Sequence, residues 1–148
     1  MAKELHMMIG GTGIGKSTLA NKMSKDTGFS IFSPDEIEES YKDQLEEIDI
    51  DNIISDELYK QISSGDSFIL DGKSLSISTR TVIINHATKN GFLVYAHNFG
   101  QGTEESKQRR LDNPRDMPTI HWKQVFDFDS NHYEAPTLEE GFSEIINY

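Results

Sequence analysis

The chain has no cysteine among its 148 residues, so a disulfide framework and a thiolate metal site are both excluded. Proline occurs four times and tryptophan once. No apolar run approaches the length of a membrane span, and the first residues lack the basic-then-apolar layout of a secretory leader. A soluble cytoplasmic protein is expected on those grounds. Positive charge is scarce as well: 14 lysines and arginines face 25 acids, giving a net charge of −11. A surface of that sign repels phosphate backbones and excludes broad, sequence-indifferent adhesion to nucleic acid. The apolar share of 35% is low, yet apolar segments recur regularly enough to build one modest core, so a single domain over 1–148 is expected.

Glycine, by contrast, is concentrated in one place. Residues 10–18 read GGTGIGKST, directly after the apolar run Leu5-His6-Met7-Met8-Ile9. Gly10, Gly15, Lys16 and Ser17 complete the phosphate-loop pattern in a strand–loop–helix setting. Glycines at 10, 11, 13 and 15 let successive N–H groups turn inward around a β-phosphate with no Cβ in the way. Thr12, Ile14 and Thr18 complete the cradle, and the helix opening at Lys16 adds its positive end. Lys16 can reach the β- and γ-phosphates, and Ser17 can ligate Mg²⁺.

Spacing predicts strands at 5–9, 29–32, 67–70 and 92–97, with a short last one at 144–146. Helices are predicted at 16–27, 78–90 and 121–128, with one or two more between Ser33 and Gly65. Ser33-Pro34-Asp35-Glu36 is a strong helix start, with a hydroxyl cap, proline at the first position and acids in the first turn. Residues 101–118 are charged, polar and proline-bounded. Strands alternating with helices give an α/β fold of three layers, a mainly parallel sheet flanked by helices. Asp35 follows the second strand and Asp71 ends the third, at the sheet edge where such folds bind ligands. Either can take a hydroxyl proton or order Mg²⁺ through water; equally, Asp35 is a first-turn helix acid and Asp71 a turn residue.

Four stretches, GGTGIGKST, FSPDEIEE, FILDGKSLSISTR and RRLDNPRDMP, together resemble the phosphate-loop kinases of the phage polynucleotide 5′-hydroxyl kinase type and their zeta-toxin-like relatives. The resemblance implies the phosphate-loop NTPase fold, with Asp35 as general base toward the attacking hydroxyl. It implies that Asp71 and Arg80 face the substrate, Arg80 following the Ser74-Leu75-Ser76 turn. It also implies a short lid over about 101–118, from which Arg109, Arg110 or Arg115 closes over the transferring phosphoryl group. One position departs from the pattern. Three residues after the base aspartate the family carries a phosphate-clamping arginine, and here Glu38 stands there, opening an acidic run that continues through Glu57.

Other features have plainer readings. Val125-Phe126-Asp127-Phe128-Asp129-Ser130 imitates a phosphatase nucleophile motif, but reads as a polar helix end. Trp122 reads as helix packing, and the scattered histidines show no metal-ligand spacing. A switch GTPase would need Asp-x-x-Gly and Asn-Lys-x-Asp at later strands, and neither occurs. The expectation is an ATP- and Mg²⁺-dependent kinase using Lys16, Ser17, Asp35, Asp71 and Arg110 or Arg115. Its first acceptor candidate is the 5′-hydroxyl of a polynucleotide or nucleotide. A small-molecule kinase for a nucleoside, nucleotide or sugar is the second, and a nucleotide-binding module without transfer the third.

Overall fold

The computed structural model describes residues 2–115 and 117–148. Among them β1 (Lys3–Ile9), β2 (Ser30–Phe32), β3 (Phe68–Leu70), β4 (Phe92–Asn98) and β5 (Glu144–Asn147) form one sheet in the order β2-β3-β1-β4-β5. Every pairing is parallel. The helices are α1 (Lys16–Thr27), α2 (Pro34–Ser40), α3 (Ile50–Ser64), α4 (Ile77–Lys89), α5 (Glu104–Asp112) and α6 (Thr119–His132), with single 3-10 turns at Lys42–Gln44 and Leu138–Glu140.

The central strand explains the layering. Leu5, Met7 and Ile9 of β1 pack with Leu58 and Ile62 of α3 and with Ile84 and Ala87 of α4. Met8 joins Ile69 on the other face, against Ala20 of α1. A strand covered on both faces has no solvated side for alternation to mark, so it reads as a continuous apolar run. Parallel strands all point their carboxyl ends the same way, and the phosphate loop, Asp71 and the loop after β4 gather at that one edge.

The expected α/β architecture is the one observed, with one local difference. The region after Ser33 holds two helices, α2 and α3, within the one or two expected. The polar stretch 101–118 holds a helix, α5, that periodicity missed because only Ser106 of it is buried. Its stability comes from its ends: Thr103 and Ser106 form a capping box, Glu104 and Glu105 sit in the first turn, and Arg109 and Arg110 in the last. Caps and dipole-matched charges stabilise a helix that has little apolar face to bury. Among the described residues no helix is long and apolar enough to cross a membrane.

One polar chain runs through the sheet. Glu4 accepts only, so His6 donates to it from Nε2 at 3.2 Å. His6 Nδ1 then accepts from His97 Nε2 at 2.9 Å, and His97 Nδ1 accepts from the Tyr148 hydroxyl at 2.7 Å. Acceptor capacity fixes each tautomer in turn. Burial, with His6 adding to it, pushes His97 down to about 4 from an ordinary 6.5. A depressed histidine stabilises the fold above the unfolded value and loses that contribution as pH falls toward the folded one. The gap in Tm between the wild type and His97→Gln should therefore be widest above about pH 6.5 and shrink steadily toward pH 4. Thermal unfolding of both proteins across that range measures it; a gap constant with pH would remove His97 as the titrating group.

Candidate active site

The chain leaves β1 at Ile9 and turns at once through Gly10, whose φ of 150° belongs to glycine. A Cβ there would lie 2.6 Å from Ile14 Cδ1 and 2.9 Å from the Gly100 carbonyl oxygen, and the second contact is with backbone that no side-chain shift relieves. The loop ends at Gly15 (φ 94°), which opens α1 with no side-chain cap. Helices α2, α3, α4 and α5 are each capped by a side chain, from Ser33, Asp49, Ser76 and Thr103. The first N–H groups of α1 are thus left for an anion.

Lys16 is buried and donates from Nζ to the Gly10 carbonyl at 2.6 Å. Burial brings its pKa down to about 8 from 10.5, and the positive charge of Lys73 pushes the same way. Asp129, Asp71 and Asp35 oppose that shift. A desolvated ammonium without a full counter-charge, beside an uncapped helix start, suits a polyphosphate. Two buried polar atoms nearby also have no partner: Thr12 Oγ1 in the loop and Arg110 Nε above it. The residues present fit a nucleotide.

The two acids converge on this loop from neighbouring strands. Ser17 donates from Oγ to Asp71 Oδ2 at 2.8 Å, which brings together the two oxygens expected around Mg²⁺. Asp35 is exposed in the first turn of α2, and its charge acts on Lys16. Their segments touch: a Cβ on Gly72 would meet Pro34 Cγ at 3.5 Å. Beside them opens a cavity of about 380 Å³ between α3 and α4. Its walls include Ile54, Leu58, Leu70 and Ile83, with Lys73 and Ser74 at the active edge. A second hollow of about 260 Å³ carries Asp35, Glu38, Glu39 and Lys42.

Among the arginines, Arg110 reaches the loop. Its Nε lies 3.7 Å from where a Gly13 Cβ would be, and its guanidinium sits 4.8 Å from the centre of the Trp122 ring. Trp122 donates from Nε1 to the Pro114 carbonyl at 2.8 Å, so the ring is a fixed platform in helix packing. Burial lowers the Arg110 pKa, and the charge of Arg115 adds to the effect. Arg115 holds a left-handed φ of 50°. Arg109 points to solvent.

The AAA domain family model matches residues 5–125. The chain belongs to that family. No curated protein matches the sequence, but solved structures share the fold. A gluconokinase from Sinorhizobium meliloti 1021 gives a TM-score of 0.66 at 16% identity, over 97% of this chain and 81% of its own. Kti12 from Chaetomium thermophilum, solved with ADP-AlF3, gives 0.69 at 16% identity, over 97% and 88%. A protein of the PezAT chromosomal toxin–antitoxin system of Streptococcus pneumoniae gives 0.63 at 18% identity, over 99% and 67%. At such identities the likeness is one of fold. The phage polynucleotide kinase type suggested by the motifs is narrower than these matches carry.

In this AAA domain Arg80 is not a surface residue awaiting substrate. It is fully buried, donating from Nε and Nη2 to the Glu140 carboxylate at 2.7 and 3.2 Å. Nη1 donates to the carbonyls of Ser74 and Leu75, both at 2.9 Å. The guanidinium locks the turn after Asp71 and acts on the site only through it. Asp129, expected at a polar helix end, is likewise buried: it accepts from the Thr12 N–H at 2.8 Å and from Lys73 Nζ at 2.7 Å. No local pattern marks either contact.

Arg80→Met leaves the Glu140 carboxylate buried and unpaired, and should cost about 3–5 kcal/mol of stability in urea unfolding, much of it recovered by adding Glu140→Met. Lys16→Met keeps the apolar stem and removes an under-compensated charge. It should leave Tm equal to or above the wild type near pH 7 while abolishing the rise in Tm on adding Mg·ATP. A preserved nucleotide-dependent rise would separate Lys16 from phosphate binding.

Proposed function

We propose that this AAA domain is a kinase that transfers the γ-phosphoryl group of ATP to the hydroxyl of a small, uncharged acceptor. The observation that carries the reading is the cavity beside Asp71 and Pro34. A nucleotide switch has no use for a second, apolar-walled hollow of ligand size opening at the phosphate end of its site. The phosphate loop, Lys16 and the start of α1 bind the polyphosphate. Mg²⁺ held at Ser17, with Asp71 behind it, would neutralise charge between the β- and γ-phosphates.

Asp35 acts as the base. As the acceptor oxygen forms its bond to the γ-phosphorus, its proton passes to the Asp35 carboxylate. The bond between that phosphorus and the bridging oxygen breaks, and its electron pair leaves with ADP. Arg110, held on Trp122, faces the phosphates from the opposite side.

Acceptor charge separates the two kinase readings. A polynucleotide end brings a phosphate beside its 5′-hydroxyl and needs a cation for it. The position that the resemblance assigns to such an arginine is Glu38, next to Asp35 in the smaller hollow. Arg80, the other candidate, is committed to Glu140. Carboxylates near an incoming phosphate repel it, which weighs toward an acceptor without one.

Incubation with γ-labelled ATP and separate nucleoside, sugar and 5′-hydroxyl oligonucleotide acceptors tests this. Label should move to an uncharged small molecule. Labelling of the oligonucleotide end in preference would overturn the acceptor class, and hydrolysis without transfer would overturn the kinase. With the accepted substrate, Asp35→Asn should lower kcat by about 10² to 10⁴ while nucleotide affinity stays within error. An unchanged kcat would return Asp35 to a role in the first turn of α2.

A further inference from the structure

No motif marks Lys73, yet three separate contacts place it where phosphate loop and acceptor cavity meet. Its carbonyl accepts from the Gly10 N–H at 3.0 Å, which stitches the segment after β3 to the first glycine of the loop. Its ammonium donates to Asp129 Oδ1 at 2.7 Å. The residue is also part of the wall of the cavity between α3 and α4. Lys73 is thus in contact with both the phosphate loop and the cavity.

The partner is built for the purpose. Asp129 is 2% exposed and shares its two oxygens between the Lys73 ammonium and the Thr12 N–H, at 2.7 and 2.8 Å. One carboxylate therefore fixes both the loop and the lysine, from a helix far along the sequence. A buried carboxylate is stable only with such partners. Lys73 itself keeps 37% of its side chain exposed. An ammonium has three N–H donors, and Asp129 takes one. The others have no partner among the described residues and can turn toward an incoming oxyanion. The ammoniums of Lys16 and Lys73 are near enough to repel, since Lys73 lowers the Lys16 pKa. Two like charges held together at one spot mark a site for an anion with more than one charged oxygen.

We propose that Lys73, positioned by Asp129, is a second phosphoryl-binding cation that contacts the transferred group on its acceptor side. The proposal rests on the kinase reading above. In transfer the charge spreads over three equatorial oxygens of the moving group. Lys16 and Arg110 approach from the nucleotide side, and the cavity side is left to Lys73. Its bond to Asp129 keeps the ammonium in place before the group moves, so little reorganisation is needed as charge develops. Asp129 is the positioning residue and makes no contact with substrate.

The test needs no knowledge of the acceptor. Binding of Mg·ADP alone, and of Mg·ADP with aluminium fluoride as a mimic of the moving phosphoryl group, is measured by calorimetry on the full chain. In Lys73→Met the affinity for Mg·ADP should stay within about twofold, while the aluminium fluoride complex weakens by about tenfold or more. Lys73→Arg keeps a cation and should recover part of that loss. Asp129→Asn, which keeps an acceptor oxygen for the Thr12 N–H, should weaken the aluminium fluoride complex more than Mg·ADP, through a mispositioned lysine. Thermal unfolding of each variant accompanies the binding data. A tie that served only to hold α6 against the loop would lower Tm and weaken both ligands alike, and that result overturns the proposal. So does an aluminium fluoride affinity unchanged in Lys73→Met and Lys73→Gln. Failure of the wild type to bind Mg·ADP at all would instead overturn the kinase reading, and the role of Lys73 with it.

Discussion

The backbone of Gly10 gives its N–H to the Lys73 carbonyl and takes a hydrogen bond from the Lys16 ammonium on its own carbonyl. The next N–H, of Gly11, goes to the Gly100 carbonyl. Three segments, those following β1, β3 and β4, are thereby fastened within two residues of one another. Gly10 can serve as that joint because no side chain stands at its Cα; a Cβ would collide with Ile14 and with Gly100. The rest of the site follows from the joint. Asp71 arrives beside Ser17 because β3 pairs with β1 in register, Leu70 opposite Met7. The cavity lies next to Asp71 because the same segment, Gly72 to Ser74, forms its rim.

Charge is distributed in the same spirit. The chain as a whole is strongly acidic, at −11, yet Lys73 and Arg110 join Lys16 at the phosphate loop from two distant parts of the sequence. An acidic exterior with a small cationic centre concentrates the field of those few groups where a polyphosphate must sit. The acids around Asp35 give the smaller hollow the same sign as a phosphate.

Much of this was legible along the chain, and the boundary has a physical basis. GGTGIGKST announced the loop because phosphate binding by backbone needs glycine at fixed local spacing. The strands and their parallel order followed from apolar runs alternating with helical segments. Asp71 could be picked out because the end of a central strand is a place defined by local pattern. What stayed hidden depends on pairing across the chain. Asp129 and Thr12 are 117 residues apart, and Arg80 and Glu140 are 60 apart. A buried arginine looks like any other in sequence until its carboxylate is found, so Arg80 was expected at the substrate. Helix α5 was missed for a different reason: end caps and charge order stabilise it, and the apolar stripe that periodicity detects is absent.

The Arg80–Glu140 pair also imposes an order of events on synthesis. A ribosome that has released the chain through α5 has already produced Lys16, Asp35, Asp71 and Arg80. At that stage Arg80 has no carboxylate to receive it, and burying its charge alone costs about 3–5 kcal/mol. The closed turn behind Asp71 is disfavoured by that much until Glu140 emerges, and Asp129, the partner of Lys73, emerges only shortly before. Until residue 140 has been made, the growing chain lacks the partner that holds the turn behind Asp71.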